Sequence, residues 1–135
     1  MRLEQFPEKL AVVRLGPGAE VPGWAESSSL FSITATARET SVVCAARSVP
    51  RKARQEGPFT AFAAEGPLDL ALTGVLAQLL QPLADAEISV FTISTFDTDW
   101  VLVPVGDAER AAEEWRRSGH DVAPAVPVTP QEHKQ

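Results

Sequence analysis

The sequence predicts an α+β protein built from two similar units, of which the first is abbreviated and the second complete. Three observations lead to this prediction. A segment in the first half of the chain recurs in the second half, and each copy has the alternating apolar and polar pattern of a β-hairpin. Between the two copies lies a segment whose leucines recur with the period of an α-helix.

The repeat aligns without a gap, so that Phe31 matches Phe91 and Val43 matches Val103. Phe31–Val43 reads FSITATARETSVV, and Phe91–Val103 reads FTISTFDTDWVLV, with seven of the thirteen positions identical or chemically equivalent. Any two β-hairpins share some alternation of this kind, and chance similarity is therefore the alternative. The acidic residue held in register before a Val-rich run favours duplication, and we expect the two segments to form equivalent hairpins.

The second unit begins with a predicted strand over Phe59–Glu65, which Gly-Pro pairs flank on both sides. A helix should follow, because its apolar residues fall on one helical face. These residues are Leu72, Val75, Leu76, Leu79, Leu80 and Leu83. Asp69 or Thr73 is expected to cap the helix start, and Pro82 should kink or end it near its last turn.

After the second hairpin, Asp107 is a plausible N-cap for another helix, and Gly119 should end that helix. A last strand is predicted over Asp121–Val126, which completes the order of a split βαβ, or ferredoxin-like, unit with antiparallel sheets and helices on one face. In the first half we expect a strand over Leu10–Leu15, a poor helix near Val21–Glu26 and an even shorter one near Pro50–Gln55. The predicted units are residues 1–58 and 59–128, followed by a polar tail over 129–135.

Charge and composition exclude several classes of function. The formal net charge is −6, and no Lys or Arg occurs from Ala61 through Glu109. Such a balance argues against binding of nucleic acid or of an anionic membrane, which require clustered basic residues. The single Cys cannot form an intramolecular disulfide, and the N-terminus lacks the apolar run of a signal peptide. We therefore expect a soluble cytoplasmic protein.

The sequence contains no recognisable catalytic or cofactor-binding motif. The histidines are His120 and His133, and with Cys44 they are too few for a zinc quartet or a Cys/His dyad. No Gly-rich phosphate-binding loop is present. We expect no cofactor, no metal and no enzymatic activity.

The segments EGPLDLALTGVLAQLLQPLADAEISVFTISTFDTDWVLV and SLFSITATARETSVVCAARSVP resemble small bacterial ACT-domain proteins with tandem ACT-like units. These are related to the regulatory ACT pairs of aspartate kinase and to the animal cytosolic arginine sensors. The resemblance covers about Leu10–Gly119. It implies a regulatory module that holds a small molecule, most simply an amino acid, where two ACT units meet.

The resemblance also implies where the ligand would be contacted. The matching positions lie in the loop before the helix and at the tip of the second hairpin: Asp69, Leu70, Leu72, Thr73, Gly74, Ser94, Thr95, Phe96, Asp97 and Asp99. The position that is acidic in the arginine sensors is Leu72 in this chain, which favours a shorter or apolar amino acid. Each residue also has a structural alternative, since Asp69 could be a simple cap, Gly74 could serve packing, and both hairpin aspartates could be turn residues.

The chemistry of a free amino acid agrees with this assignment. A helix N-terminus supplies unpaired N–H groups for the carboxylate, and Asp99 could accept the ammonium group. The expected function is amino-acid sensing, with a homodimer or a partner enzyme as the regulated assembly. Two alternatives remain: an interaction adaptor that uses the same fold without a ligand, and a small enzyme relying on Asp69 and Asp99.

Overall fold

The computed structural model describes residues 1–64 and 73–125. Within these ranges the chain forms the strands and helices β1 (Arg2–Gln5), β2 (Leu10–Leu15), β3 (Ser32–Ala35), β4 (Thr40–Ala45), β5 (Gln55–Ala64), α1 (Val75–Asp85), β6 (Phe91–Ser94), β7 (Asp99–Pro104), α2 (Ala108–Arg117) and β8 (Asp121–Ala123). Three single 3-10 turns lie at Gly23–Ala25, Ala46–Ser48 and Val105–Asp107. No helix in the described ranges is long and apolar enough to cross a membrane.

The chain divides into two compact units, which we call the N-terminal unit (residues 8–59) and the C-terminal unit (residues 1–7 together with the described residues from 60 onward). The mixed strand and helix content bears out the α+β class. That the two units arose as ACT-like repeats bounded at residues 58 and 128 stays a prediction.

The N-terminal unit has the strand order β3-β4-β2-β5, and all its strand pairs are antiparallel. This is the order of a split βαβ unit in which the helices are reduced. The first helix is only the 3-10 turn Gly23–Ala25, as the weak sequence signal indicated. One side of the sheet carries the unit's core, made by Ala11, Val13, Ala25, Val42 and Cys44.

The second helix of this unit, expected near Pro50–Gln55 to be abbreviated at best, is reduced to one turn in which the Ala53 N–H donates to the Pro50 carbonyl oxygen at 3.0 Å. The chain before it makes the 3-10 turn Ala46–Ser48, and Val49 is extended, with φ −80° and ψ 128°. A residue before proline is pushed away from the helical region by the proline ring, so Pro50 prevents the turn from continuing.

Strand β5 begins at Gln55, earlier than the sequence predicts. Gly57, which we took as a boundary, lies inside the strand at an irregularity in its register with β2. Its φ is +130°, and a side chain there would approach the Leu10 carbonyl oxygen to 3.1 Å. Only glycine fits this position, and the Gly-Pro pair therefore marks a bulge rather than the end of the strand.

In the C-terminal unit the strand order is β6-β7-β5-β1-β8. Strand β1 was not predicted from the sequence. This strand lies between β5 and β8, antiparallel to the first and parallel to the second, where a simple split βαβ unit would pair β5 with β8 directly. Leu3 of β1 is fully buried in the core of this unit. The buried residues of that core are Leu3, Phe62, Ala64, Leu79, Leu83, Ile88, Val101, Val103, Ala111 and Trp115.

Helix α1 packs on this core through the apolar face that its sequence predicts. Leu79 and Leu83 are fully buried, and Val75 and Leu80 pack against the cluster while remaining partly exposed. Leu76 is half-buried, and Leu72 lies outside the described residues. Helix α2 contributes Ala111 and Trp115 to the same cluster, so both helices cover one face of the sheet.

The two hairpins are structurally equivalent, but in a register shifted by one position from the ungapped sequence alignment. Ala35 pairs with Thr40 at the end of the first hairpin, and Ser94 pairs with Asp99 at the end of the second. Ala35 is therefore equivalent to Ser94, whereas the sequence alignment places it against Thr95. Because a shift of one position exchanges the two faces of a strand, the ungapped alignment does not match residues in equivalent positions.

Candidate functional site

The tip of the second hairpin, Ser94–Asp99, brings five of the ten predicted site residues together. Thr95 fixes the turn: its N–H and its hydroxyl both donate to the carbonyl oxygen of Thr98, at 2.9 and 3.0 Å. The N–H of Thr98 donates back to the Thr95 hydroxyl at 3.2 Å. Thr95 is therefore a structural residue of the turn. Thr36 makes the corresponding bonds to Glu39 in the first hairpin.

Asp99 is the partly buried carboxylate of the hairpin tip. The Ser94 hydroxyl donates to its Oδ1 at 2.7 Å, a distance typical of an O–H donor with an ionised acceptor. Within the described residues, neither Asp97 nor Asp99 belongs to an ion pair. Asp97 is exposed, and the Phe96 side chain is 79% exposed. Asp99 thus keeps lone pairs available for a further hydrogen-bond donor.

The start of α1 is the second part of the predicted site. The N-cap is Gly74, with φ +78°, and no side chain in the described part of the chain caps the helix. The prediction that Thr73 caps it is therefore wrong, because the helix begins at Val75 and Thr73 lies before the cap. The alternative cap Asp69, with Leu70 and Leu72, lies outside the described residues.

Among the described residues, nothing caps the backbone N–H groups at the start of α1. The N–H of Gln78 donates to the Gly74 carbonyl oxygen at 3.0 Å, which closes the first turn of the helix. The three preceding residues of the helix have no intrahelical acceptor for their N–H groups. The positive end of the helix dipole lies at the same place, and together these features favour an anion.

The hairpin tip lies beside the end of β5, from which the chain departs toward α1. Trp100, next to Asp99, lines a cavity of about 70 Å³ together with Ala63, which precedes the last residue of β5. The Trp100 ring packs edge-on against Phe6, with 5.6 Å between centroids. Asp99 and the last residues of β5 therefore lie at one end of the sheet.

The N-terminal unit holds a cluster of charged residues that the sequence analysis did not identify. Arg14, Arg54, Glu39 and Glu56 line a cleft of about 230 Å³. They are scattered along the sequence of the unit, and only the register of three strands brings them together. No local motif marks them.

Metal-ligating clusters and reactive thiols were two further possibilities for a site among the described residues. In residues 1–64 and 73–125 no group of three or more His, Cys, Asp or Glu is arranged to hold a metal ion. The Cys44 thiol is fully buried, and burial, followed by the Glu8 carboxylate, raises its pKa above the usual value. A thiol in this environment is held protonated and is a poor nucleophile.

Two family models match successive parts of the chain. Residues 56–113 match the model of the ACT domain, a range that includes Thr73, Gly74 and the whole hairpin tip. A second family model, described only as an N-terminal domain, matches residues 8–52, almost the same range as the N-terminal unit. No curated protein matches the chain.

Several solved structures share the fold. A structural-genomics protein from Agrobacterium tumefaciens is 29% identical, with a TM-score of 0.86, and the match covers 95% of this chain and 96% of that one. A Vibrio cholerae protein of unknown function, described as a possible transport protein, is 14% identical with a TM-score of 0.72, covering 87% and 88% of the two chains.

The regulatory subunit of aspartate kinase from Thermus flavus is 11% identical, with a TM-score of 0.61 and coverage of 86% of this chain and 95% of that subunit. At this identity the likeness concerns the fold. Residues 56–113 of the chain therefore belong to an ACT domain, and the chain shares the fold of the aspartate kinase regulatory subunits.

Proposed function

We propose that this protein is a regulatory module whose ACT domain binds a free amino acid at the hairpin tip and the start of α1. The observation that carries the proposal is the Ser94–Asp99 pair. It places a partly buried carboxylate, without an ion pair among the described residues, inside the segment that matches the ACT domain.

The two ends of an amino acid require opposite partners. Asp99 accepts the ammonium group, and a charge-assisted hydrogen bond of this kind contributes about 1.5–3 kcal/mol. The carboxylate has no Lys or Arg to meet it between Ala61 and Glu109, so backbone N–H groups at the uncapped start of α1 take that role. The absence of a basic side chain favours a ligand without a second acidic group.

Regulation follows if the ligand binds two arrangements of the protein with different affinity. A ligand can shift such an equilibrium only by as much as that difference. The regulated assembly is then a homodimer of this chain or a partner enzyme, as the fold shared with a regulatory subunit of aspartate kinase suggests. The module itself carries no catalytic step.

Calorimetric titration with each of the twenty amino acids tests the proposal. At least one amino acid should bind the parent protein, and Asp99→Asn should weaken that binding about tenfold or more, equivalent to about 1.4 kcal/mol. Asp85→Asn is the matched control, because Asp85 lies at the far end of α1, where it accepts a hydrogen bond from Gln81. Equal weakening by both variants, or no binding by the parent, would contradict the proposal.

The alternative is an adaptor that binds another protein without a metabolite. It has one specific observation in its favour, the 79% exposure of Phe96 at the hairpin tip. A large aromatic side chain in that position is typical of contact surfaces. Failure of every amino acid to bind, combined with loss of a protein partner on Phe96→Ser, would favour the adaptor.

A further inference from the structure

We infer that the cleft of the N-terminal unit is a second binding site, for a small zwitterion that carries one carboxylate and one ammonium group. The site is separate from the hairpin tip and does not rest on the function proposed above. It consists of residues from three neighbouring strands and the turns beside them, with a volume of about 230 Å³.

The strand register places the charged side chains on one face of the sheet. Arg14 of β2 pairs with Ser41 of β4 on one side, and on the other side its N–H donates to the Arg54 carbonyl oxygen at 2.9 Å. Val12, which precedes Arg14 on the same face of β2, pairs with Glu56 of β5. Since side chains alternate between faces along a strand, Val12, Arg14, Ser41 and Glu56 share a face opposite the Val13 and Val42 side chains in the core.

Two exposed arginines, Arg14 and Arg54, lie at the centre of the cleft along the strand direction, between the levels of Glu56 and Glu39. Arg14 and Arg54 are cross-strand neighbours, and like charges in such positions repel. The Arg14 guanidinium is held in place by a hydrogen bond from Nη2 to the Arg38 carbonyl oxygen at 3.2 Å. An anion between the two guanidinium groups would remove the repulsion, and a carboxylate suits their planar, forked donors.

Two glutamates flank this centre along the strand direction. Glu56 pairs with Val12, which lies two residues before Arg14, and Glu39 lies two residues before Ser41, the β4 partner of Arg14. At about 3.3 Å per residue, each glutamate is therefore about 7 Å from Arg14 along the strand direction. In the described part of the chain, neither glutamate forms an ion pair with either arginine. Opposite charges therefore line one cleft without a direct ion pair between these glutamates and arginines.

This arrangement matches the charges of a zwitterion. The carboxylate fits between Arg14 and Arg54, and the ammonium group reaches Glu56 or Glu39, whose carboxylates accept its hydrogen bonds. Ser41 adds a hydroxyl that can donate or accept, and Val12 supplies apolar surface between the polar groups. An anion without an ammonium group would meet the two glutamates as like charges and bind less well.

Titration followed by two-dimensional amide NMR tests the inference. The probes are the twenty amino acids as zwitterions, propionate as a carboxylate alone and ethylamine as an ammonium alone. The inference expects at least one amino acid to shift the amide signals of Val12, Ser41 and Gln55, and to bind at least tenfold more tightly than propionate or ethylamine. Absence of such shifts with all twenty, or equally tight binding of propionate, would overturn it.

Variants separate this site from the hairpin tip. Arg54→Gln and Glu56→Gln should each weaken the binding seen at Val12 and Ser41 about tenfold or more, while Arg51→Gln, an exposed arginine outside the cleft, should leave it unchanged. Shifts confined to Ser94 and Asp99 would support the proposed function and overturn the second site. Shifts at the cleft that survive Asp99→Asn would support the second site alone.

Discussion

At the scale of single residues, Trp115 connects the two helices of the C-terminal unit. Its ring is fully buried and meets Phe62 edge-on, with 4.9 Å between centroids. The indole Nε1–H donates to the Leu79 carbonyl oxygen at 2.8 Å, across from α2 to α1. The aromatic ring fills the core, and its polar group is satisfied by the backbone of the neighbouring helix.

Trp115→Phe should therefore lower the free energy of unfolding by about 2 kcal/mol or more. It removes a buried hydrogen bond, worth about 1 kcal/mol, and leaves a cavity where the larger ring was. Urea denaturation followed by circular dichroism measures the loss. Trp24→Phe is the control, since Trp24 is only partly buried, and a loss as large as that of Trp115→Phe would contradict the argument.

Cys44 gives a prediction about pH. Burial, and then the Glu8 carboxylate, raises the pKa of this thiol in the folded protein above the unfolded value of about 8.5. A raised pKa means that the folded state retains the proton, so its contribution to stability is complete below about pH 8.5 and is lost as pH rises through the folded pKa.

Native protein at pH 8 should thus react with a thiol reagent about two orders of magnitude more slowly than denatured protein, because reaction requires opening of the core. The decline in stability above pH 8.5 should also be smaller in Cys44→Ala. Rapid reaction of the native thiol, or an unchanged decline in the variant, would show that Cys44 is accessible or does not titrate with unfolding.

At the scale of elements, α1 shows how far an apolar pattern determines packing. Its stripe predicted the buried face, yet the structure buries Leu79 and Leu83 fully and leaves Leu76 half-buried. Leu83→Ala should cost about 2–5 kcal/mol, the usual range for a fully buried leucine, whereas Leu76→Ala should cost clearly less. Equal losses in parallel urea titrations would mean that the helix is rotated about its axis from the orientation described.

The sequence predicted those elements whose signals are local. The helix stripe and both hairpins follow from periodicity, and Asp107 is the N-cap residue of α2 as expected, although its carboxylate pairs with Arg110 instead of bonding the helix N–H groups. The ungapped alignment of the repeat matches residue types at an offset of 60, whereas strand pairing makes positions 59 apart equivalent, so likeness of residue type did not identify the structural equivalents. The equivalence of Ala35 with Ser94 is determined by strand pairing, which a single sequence does not contain.

The two proposed sites also differ in whether local sequence signals could reveal them. The hairpin-tip residues are close in sequence, and the ACT resemblance pointed to them. The four charged residues of the N-terminal cleft are brought together by the pairing of β2 with β4 and β5. Their positions could not be inferred from spacing, since Arg14 and Arg54 are distant in the sequence and no shared motif links them.

At the scale of the whole molecule, strand β1 at the start of the chain completes the C-terminal unit, whose other described residues start at position 60. Strand β1 is too short to show a clear period, and its partners β5 and β8 are distant in sequence. These features explain why it was not predicted. The ACT-domain match over 56–113 likewise omits both β1 and β8, although Leu3 of β1 is fully buried in the core of that unit.

Removal of residues 1–7 should therefore disrupt the C-terminal unit. The deletion takes Leu3 from the core, exposes the backbone edge of β5, and leaves β8 without the described strand that pairs with it. The loss of Leu3 alone is worth about 2–5 kcal/mol, a large fraction of the stability of a small domain.

The three tryptophans make the test specific, because Trp100 and Trp115 report on the C-terminal unit and Trp24 on the N-terminal unit. In a ¹⁵N-labelled protein, the deletion should move the indole signals of Trp100 and Trp115 toward unfolded positions. Glu4→Ala, an exposed change within the same strand, should leave the Trp115 signal in place. If the Trp115 signal kept its native position after the deletion, the C-terminal unit would close without β1, and this short strand would be an accessory to the fold instead of a part of its core.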